Sequence, residues 1–514
     1  MIRRHPLIAL MAAAALIPAL TAAADPDPNP DKQLGPSSLQ AATVPSGIST
    51  DKVLVVGMDG LRNDRIAAAN APTLKSLMAT GTYGTSLLYA KPMSETSSGP
   101  GWSTIATGVW PDKHGVVDNT FTGKHYDTYP DFLTRLESAN PGFSTYAAVD
   151  WTPLIDEGTF GSAVDTRLKI SDPAGWPASD EAVTTTSIPV LRDQNPDAAF
   201  VYLGNIDIVG HSKGAASKDY LDAIAASDAQ LGRLIAAVKA RPTYAAERWT
   251  VIVATDHGHT DAGGHGGSSI EERRTFVLAS GPGIAAGAKP ADTRLTDVAA
   301  TVLSRLKVAI PAALDGVPVN VRSGDPFEGV SLAQRTDETG IPAGVLGYSH
   351  TPPPGWSVDN AAMPSGGVTE WRGWSFTTDE FWSRAQRDQS RELNVRSRGT
   401  FAVADSDEWD DKSHGSGPFD STLVSPSYGV SGRSSVKLGY TTYYRQDGTQ
   451  RGQVLVSFDG GTPSAVRTYS ADVPSRRESI TVAVPAGATS MRVRFRCYDA
   501  DNAWYWVVDD VTVG

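Results

Sequence analysis

The segment Ala254-Thr255-Asp256-His257-Gly258-His259 ends an apolar run, and Gly263-Gly264-His265-Gly266-Gly267 follows shortly after it. Carboxylates and imidazoles this close together supply the oxygen and nitrogen donors that hold divalent cations. Two other apolar runs end in the same way. Lys52 to Met58 leads to Asp59, and Ala198 to Gly204 leads to Asp207 and His211, whose spacing of four puts both on one side of a helical turn or compact loop. The chain therefore offers three carboxylates (Asp59, Asp207, Asp256) and three imidazoles (His211, His257, His265). That is enough for two ions with three protein ligands each and open positions for a substrate. With no thiolate in the set, zinc fits first, and manganese or another divalent ion is the alternative. Taken singly, an Asp after a strand is usually a turn former or helix cap, and a lone His is usually structural. Jointly they point to metal, and His211, His257 and His265 each adjoin a glycine, where backbone can approach an ion closely.

The elements that must position these groups are legible from periodicity. Thr250 to Ala254 has the length and β-branched content of a buried strand, as do the runs before Asp59 and Asn205. Tyr220 to Arg241 repeats Leu221, Ile224, Leu231, Leu234, Ile235 and Val238 at helical spacing. Thr275 to Ala279 reads as a further strand, and Thr296 to Lys307 as a helix capped by Thr296 or Asp297. Strand-like and helix-like segments alternating over 51–325 predict an α/β domain, a mostly parallel sheet with helices on both faces. Ligands of such domains gather at the carboxyl ends of the strands, where these acids and imidazoles stand.

Composition changes after that. Thr351-Pro352-Pro353-Pro354-Gly355 and Pro364-Ser365-Gly366-Gly367 mark 326–367 as a linker. Over 368–514 short runs such as Ser435 to Tyr440, Gln453 to Phe458, Ser479 to Val484 and Met491 to Arg496 are separated by turn residues, predicting an antiparallel β-sandwich. A chain of 514 residues accommodates two such domains.

The amino terminus is basic (Arg3, Arg4), then apolar from Leu7 to Leu20, then small at Ala22-Ala23-Ala24. This predicts a bacterial-type secretory signal peptide over 1–24 and a flexible Pro/Asp/Ser-rich lead-in over 25–50, placing the protein outside the cell or in the periplasm. No other stretch is long and apolar enough to span a bilayer. Cys497 is the single cysteine and allows no internal disulfide. A net charge of −12 argues against general nucleic-acid binding.

Between Asp59 and the distal ligands runs Glu95-Thr96-Ser97-Ser98-Gly99-Pro100-Gly101-Trp102, continuing through Thr104-Ile105-Ala106-Thr107-Gly108-Val109-Trp110-Pro111-Asp112-Lys113-His114-Gly115 to Asp118-Asn119. Together with Met58-Asp59-Gly60, Asp207, His211 and Asp256-His257-Gly258, it resembles the type I phosphodiesterase/nucleotide pyrophosphatase family of the alkaline phosphatase superfamily, over roughly 51–322. The resemblance implies an alkaline-phosphatase-like fold and two divalent ions, zinc in the family. It implies Ser98 as nucleophile, passing through a covalent phospho-Ser98 intermediate, and Asn119 as donor to a nonbridging oxygen of a small-molecule phosphate ester. Asp59, Ser98, Asp256 and His257 would serve one ion, and Asp207, His211 and His265 the other. His259 competes with His265 for the last place. The Gly-Gly-His-Gly-Gly setting favours His265, with His259 behind it, and His114 reads as structural. Pro100 suits the first turn of a helix, so Ser98 would sit at an amino end where free N–H groups favour an anion. The alternative is that Ser97 or Ser98 is only an N-cap.

Nucleotide-cleaving members commonly carry Thr followed by Phe-Pro-Asn, where this chain has Ser98-Gly99-Pro100-Gly101. A diester substrate is favoured, and an alkaline phosphomonoesterase is the nearer alternative, although its phosphate-clamping Arg has no candidate here. A non-catalytic binding or adhesion protein is the alternative from another class.

The C-terminal domain resembles the jelly-roll accessory domains of secreted hydrolases. Its acids Asp405, Asp407, Glu408, Asp410 and Asp411, with Asp509 and Asp510, could hold a structural Ca²⁺ or be solvated loop charge. Trp504 and Trp506 could contact a glycan or cell surface, or pack in the core.

Overall fold

The computed structural model describes residues 42–514 apart from 291, 322, 323 and 388. The signal peptide expected over 1–24 lies outside the described residues, as does the lead-in up to residue 41. The rest of the lead-in is tied down. Val44 N donates to Gln194 Oε1 at 2.7 Å, and Ile48 N and Ser49 N donate to Asp197 at 2.9 and 3.0 Å, because a buried Asp197 needs these donors.

Seven strands form one sheet: β1 (Asp51–Met58), β2 (Thr82–Leu87), β3 (Thr145–Val149), β4 (Thr166–Lys169), β5 (Ala198–Leu203), β6 (Arg248–Ala254) and β7 (Arg274–Ser280), in the order β2-β7-β6-β1-β5-β3-β4. β1 is parallel to β5 and β6, and β3 to β4 and β5, whereas β7 runs antiparallel to β6 and β2. The fold is the α/β class that the alternation predicts. On one face Val53 and Val55 pack in a cluster with the helices Ser98–Thr107, Phe132–Ala139 and Asp297–Arg305. On the other, Leu54 and Val56 pack with Pro72–Thr80, Trp176–Asp193 and Lys218–Lys239. Burial on both faces is why the central strands read as continuous apolar runs instead of alternating ones.

Register sets where these strands deliver their polar ends. Gly57 lies opposite Ala254 on β6 and Tyr202 on β5, and Met58 lies opposite Leu203. Asp59, Asp256-His257 and the helix Asn205–Lys213 therefore leave the sheet side by side at one height.

Eleven further strands follow: β8 (Ser357–Asp359), β9 (Trp374–Thr378), β10 (Thr400–Asp405), β11 (Phe419–Val424), β12 (Tyr428–Gly429), β13 (Ser435–Tyr444), β14 (Arg451–Phe458), β15 (Ser464–Tyr469), β16 (Val473–Ala483), β17 (Ser490–Ala500) and β18 (Tyr505–Val513). They build two antiparallel sheets, β16-β13-β18-β10-β9 and β15-β14-β17-β11-β8. Within these, β10-β18-β13-β16 and β11-β17-β14-β15 are the two four-stranded layers of a jelly roll. Trp506 closes the space between them, 5.9 Å from Phe495 on β17 and 5.4 Å from Tyr469 on β15, ring centre to ring centre. It is core and not a glycan platform, and Trp504 lies beneath the Arg445 guanidinium at 4.6 Å. The stretch 326–367 is not a linker. β8 pairs with β11, and Phe327, Tyr348, Trp356 and Met363 are buried in the jelly-roll core, so its prolines and glycines mark turns in a packed wrap.

The acids of this domain have partners other than calcium. Asp405 and Glu408 both pair with the fully buried Arg391, Asp405 also accepts from Trp382 Nε1 at 2.7 Å, and Asp410 pairs with His414. Asp509 accepts from Arg398 N at 2.7 Å and Asp510 pairs with Arg477. Among the described residues, groups of three or more converging His, Cys, Asp or Glu ligand atoms occur only in the α/β domain, and of the two alternatives left open for these acids the structure shows no converging Ca²⁺ group, with Asp405 and Glu408 facing an internal arginine instead. Among those residues, too, no helix is long and apolar enough to cross a membrane. The domains are joined by ion pairs, including Arg398 with Asp297 at 2.8 Å and Arg273 with Asp379 at 3.1 Å. Replacing Arg391 by Met strands two buried carboxylates, and should lower stability in urea denaturation by about 3–5 kcal/mol. A variant as stable as the parent would show that Asp405 and Glu408 do not depend on that arginine.

Candidate functional site

Asp59 follows β1, and Asp256 and His257 follow β6. All three are fully buried, with ligand atoms within 4.8 Å of one another. His257 Nε2 stands 3.4 Å from Asp59 Oδ1 and 3.3 Å from Asp256 Oδ2. Its Nδ1 faces the Gly258 carbonyl at 3.0 Å. A carbonyl only accepts, so Nδ1 carries the proton and Nε2 presents a lone pair. Asp59 Oδ2 accepts from Trp102 Nε1 at 2.8 Å and from the Tyr202 hydroxyl, which turns Oδ1 toward His257. Asp256 Oδ1 accepts from Gly60 N at 3.1 Å, whereas its buried Oδ2 has no hydrogen-bond partner.

Asp207 and His211 lie one turn apart on the Asn205–Lys213 helix, with His211 Nε2 3.4 Å from Asp207 Oδ2. His265 comes from the glycine-rich loop. Its Nε2 is 3.5 Å from Asp207 Oδ1 without a hydrogen-bond partner, while its Nδ1 meets the Thr96 carbonyl at 2.9 Å. His259 also reaches Asp207, its Nε2 2.6 Å from Oδ1. The structure thus brings both competing imidazoles to the same carboxylate: His259 bonds it through Nε2 and leaves its buried Nδ1 without a hydrogen-bond partner, whereas His265 turns its unpaired Nε2 toward it. The two clusters adjoin, for His257 Nε2 is 4.0 Å from Asp207 Oδ1, and the His257 and His265 ring centres are 3.8 Å apart.

Ser98 opens the buried helix Ser98–Thr107. Its Oγ is 3.4 Å from Asp59 Oδ1 and 3.3 Å from His257 Nε2, and the N-cap residue Ser97 makes no side-chain cap bond. The side-chain N-cap alternative therefore falls away. Asn119 stands beside the same terminus, where its Oδ1 accepts from Gly99 N at 2.7 Å. The helix comes this close because its first turn is small: a Cβ at Gly101 would lie 2.7 Å from the Asp256 backbone oxygen. His114 is structural, its Nε2 3.0 Å from Thr104 Oγ1 and its Nδ1 accepting from Val116 N at 3.1 Å.

The electrostatics explain what this arrangement asks for. Burial, reinforced by Asp207, pushes the Asp59 carboxyl up to about 8, and burial with Asp59 beside it drives Asp256 well above the usual carboxylate range. Burial also opposes ionisation of Asp207, but attraction to His259 and hydrogen bonds from His211 and His259 hold it well below that range. Burial lowers His257 to about 3 and, together with His257, takes His265 well down, so both rings are neutral. Crowded carboxylates, the neutral His257 and His265 rings and the three unpartnered buried atoms Asp256 Oδ2, His259 Nδ1 and His265 Nε2 fit divalent cations. Arg62 does not serve instead, since its guanidinium binds Asp64, Asp261 and the His259 carbonyl.

Several supporting residues escape a reading of the sequence. Tyr202 lies inside an apolar strand and Trp102 inside a helix, and nothing local marks either as a donor to Asp59. Asp180, on the Trp176–Asp193 helix, accepts from Gly204 N at 2.9 Å and Asn205 N at 3.3 Å, so it caps from afar the helix that carries Asp207.

The family model for type I phosphodiesterase/nucleotide pyrophosphatase matches residues 53–193 and 162–328. The chain belongs to this family. Within the type I phosphodiesterase/nucleotide pyrophosphatase family it is 24% identical over 247 residues to ectonucleotide pyrophosphatase/phosphodiesterase family member 3 of Mus musculus, covering 43% of this chain and 26% of that protein. It is 23% identical over 239 residues to a venom phosphodiesterase of Macrovipera lebetinus, covering 43% and 27%. The chain thus spans about a quarter of the length of these curated relatives, at 26% and 27%. Among solved structures, murine ectonucleotide pyrophosphatase/phosphodiesterase 5 aligns at 17% identity with a TM-score of 0.41, covering 51% of this chain and 96% of that one.

β1 allows no side chain at Gly57, where a Cβ would lie 2.4 Å from Trp102 Cη2. Gly57→Ala should therefore cost about 1–3 kcal/mol in thermal unfolding by overpacking and should also weaken metal retention, because Trp102 orients Asp59. Unchanged stability and metal content would refute that packing argument.

Proposed function

We propose that the protein is a secreted two-metal phosphodiesterase of the nucleotide pyrophosphatase type, acting through a phospho-Ser98 intermediate. The observation that carries this reading is Ser98 Oγ at a buried helix amino terminus, 3.3 Å from His257 Nε2 and 3.4 Å from Asp59 Oδ1. Asp59, Asp256, His257 and Ser98 would hold one ion, and Asp207, His211 and His265 the other. His259 belongs to the same converging group, and with its Nε2 engaged by Asp207 and its Nδ1 unpartnered it is assigned the role of holding that carboxylate, with His265 as the ligand. The oxygen and nitrogen donor set suits zinc. When bound, such ions lower the pKa of a hydroxyl or water and stabilise developing negative charge on oxygen.

The chain's own groups set the geometry. Ser98 Oγ attacks phosphorus in line and loses its proton to solvent. As the new P–O bond forms, the bond to the leaving alcohol breaks, and that oxygen keeps the electron pair and takes up a proton. Water then attacks the phospho-Ser98 ester, and Ser98 regains its proton as its O–P bond breaks. Asn119 and the first-turn N–H groups offer donors to the equatorial oxygens. A diester is favoured over a monoester because Arg62 is committed to Asp64 and Asp261 and so is no phosphate clamp. Secretion is supported by the amino-terminal signal-like sequence and by the "ectonucleotide" and "venom" names of the relatives.

The test is hydrolysis of bis-p-nitrophenyl phosphate and p-nitrophenyl phosphate by the mature protein. Diester turnover should dominate, vanish with chelator, return with zinc, and fall on the order of 10³-fold or more in Ser98→Ala. Chelator-resistant activity or an active Ser98→Ala would defeat the mechanism. Monoester preference would point to a phosphomonoesterase, and no turnover at all to a binding protein.

A further inference from the structure

We infer that Thr96 is a positioning residue that couples the Asp207–His211–His265 ion site to the nucleophile, an inference resting on the two-ion reading above. The other six donors leave strand ends or stand on a helix, so rigid elements hold them. His265 does not. It sits in a loop where Gly263, Gly264 and Gly266 adopt φ of 111°, 87° and 104°, and the absence of a Cβ at each leaves the loop backbone easy to re-route. Three contacts to one fully buried residue hold it in place. The Thr96 carbonyl faces His265 Nδ1 at 2.9 Å, Thr96 Oγ1 accepts from Gly266 N at 3.0 Å, and the same hydroxyl donates to Gly267 O at 2.9 Å. On the loop's far side Glu272 Oε1 accepts from Gly267 N at 2.8 Å.

Two consequences follow from chemistry alone. Because the carbonyl only accepts, His265 must carry its proton on Nδ1, which leaves the Nε2 lone pair directed into the cluster where it has no hydrogen-bond partner. Thr96 also stands two residues before Ser98 in extended backbone, Ser97 having φ −135° and ψ 166°, so a shift of the His265 loop is transmitted along the chain to the nucleophile. Filling the second site would thereby order Ser98 as well as supply charge.

Competitive zinc titration of the full-length protein against a chromophoric chelator, with wild type, Thr96→Val and Thr96→Ser, tests this. Thr96→Val keeps the shape but loses both hydroxyl bonds. It should bind its first zinc like wild type and its second roughly 10–100-fold more weakly. Its diester activity should fall at limiting zinc and recover in excess, whereas Thr96→Ser should match wild type. Two wild-type affinities in Thr96→Val, or equal impairment of both variants, would overturn the inference while leaving the two-ion reading intact. A wild-type protein that binds fewer than two zinc ions would defeat both. A measurement that needs no folded Thr96 variant is the imidazole ¹⁵N spectrum of metal-free wild type, with His265→Gln for assignment. The Nδ1–H tautomer at His265 is expected, and the Nε2–H tautomer would refute the proposed role.

Discussion

Three carboxylates, Asp59, Asp207 and Asp256, are brought together in a buried space at the middle of a sheet, and their partners are imidazoles, a phenol, an indole and backbone N–H groups instead of lysine or arginine. Like charges at this separation in a dry interior repel strongly, and ionising all of them requires positive charge from elsewhere. That constraint organises the α/β domain. It explains why the His257 and His265 rings are neutral, why Asp59 and Asp256 resist ionisation in the protein alone, and why a divalent ion fits where an ion pair does not.

The sheet creates the constraint through order and register. With β1 between β5 and β6 and with Gly57 level with both Tyr202 and Ala254, the donors cannot avoid one another. The surrounding elements then refine them. Asp180 caps the helix of Asp207 and His211, while Trp102 and Tyr202 fix one oxygen of Asp59 and so commit the other. The Ser98–Thr107 helix packs so closely on Asp256 at Gly101, and on Asp118 and Asn119 at Gly99, that its first turn must be glycine-rich. Removing bulk from the helix brings Ser98 up to Asp59 and His257; removing it from the strand at Gly57 makes room for Trp102.

The jelly roll solves its own charge problem differently. Arg391, fully buried between Asp405 and Glu408 and stacked 5.1 Å from the Trp382 ring centre, neutralises acids that in sequence look like a cation site. The same residue types therefore have opposite meanings in the two domains. What distinguishes them is whether a guanidinium arrives from a distant part of the chain, as it does for Asp405 and does not for Asp256.

The class of both domains is legible in the sequence, because two-sided burial and one-sided burial leave different apolar periodicities along a strand. The candidate donors are legible there too, since Asp59, Asp256 and His257 follow directly on strands and Asp207 and His211 stand on the helix after β5. Other features come only from contacts between distant segments. The packing of 326–367 into the jelly-roll core depends on pairing with β11, some sixty residues on, and turn-forming prolines look the same in a linker as in a wrap. That His259 meets Asp207 through Nε2 while His265 meets the Thr96 carbonyl through Nδ1 is equally invisible in the sequence. Those are contacts between residues far apart in the chain, and a hydrogen bond's direction exists only once both partners are fixed in space.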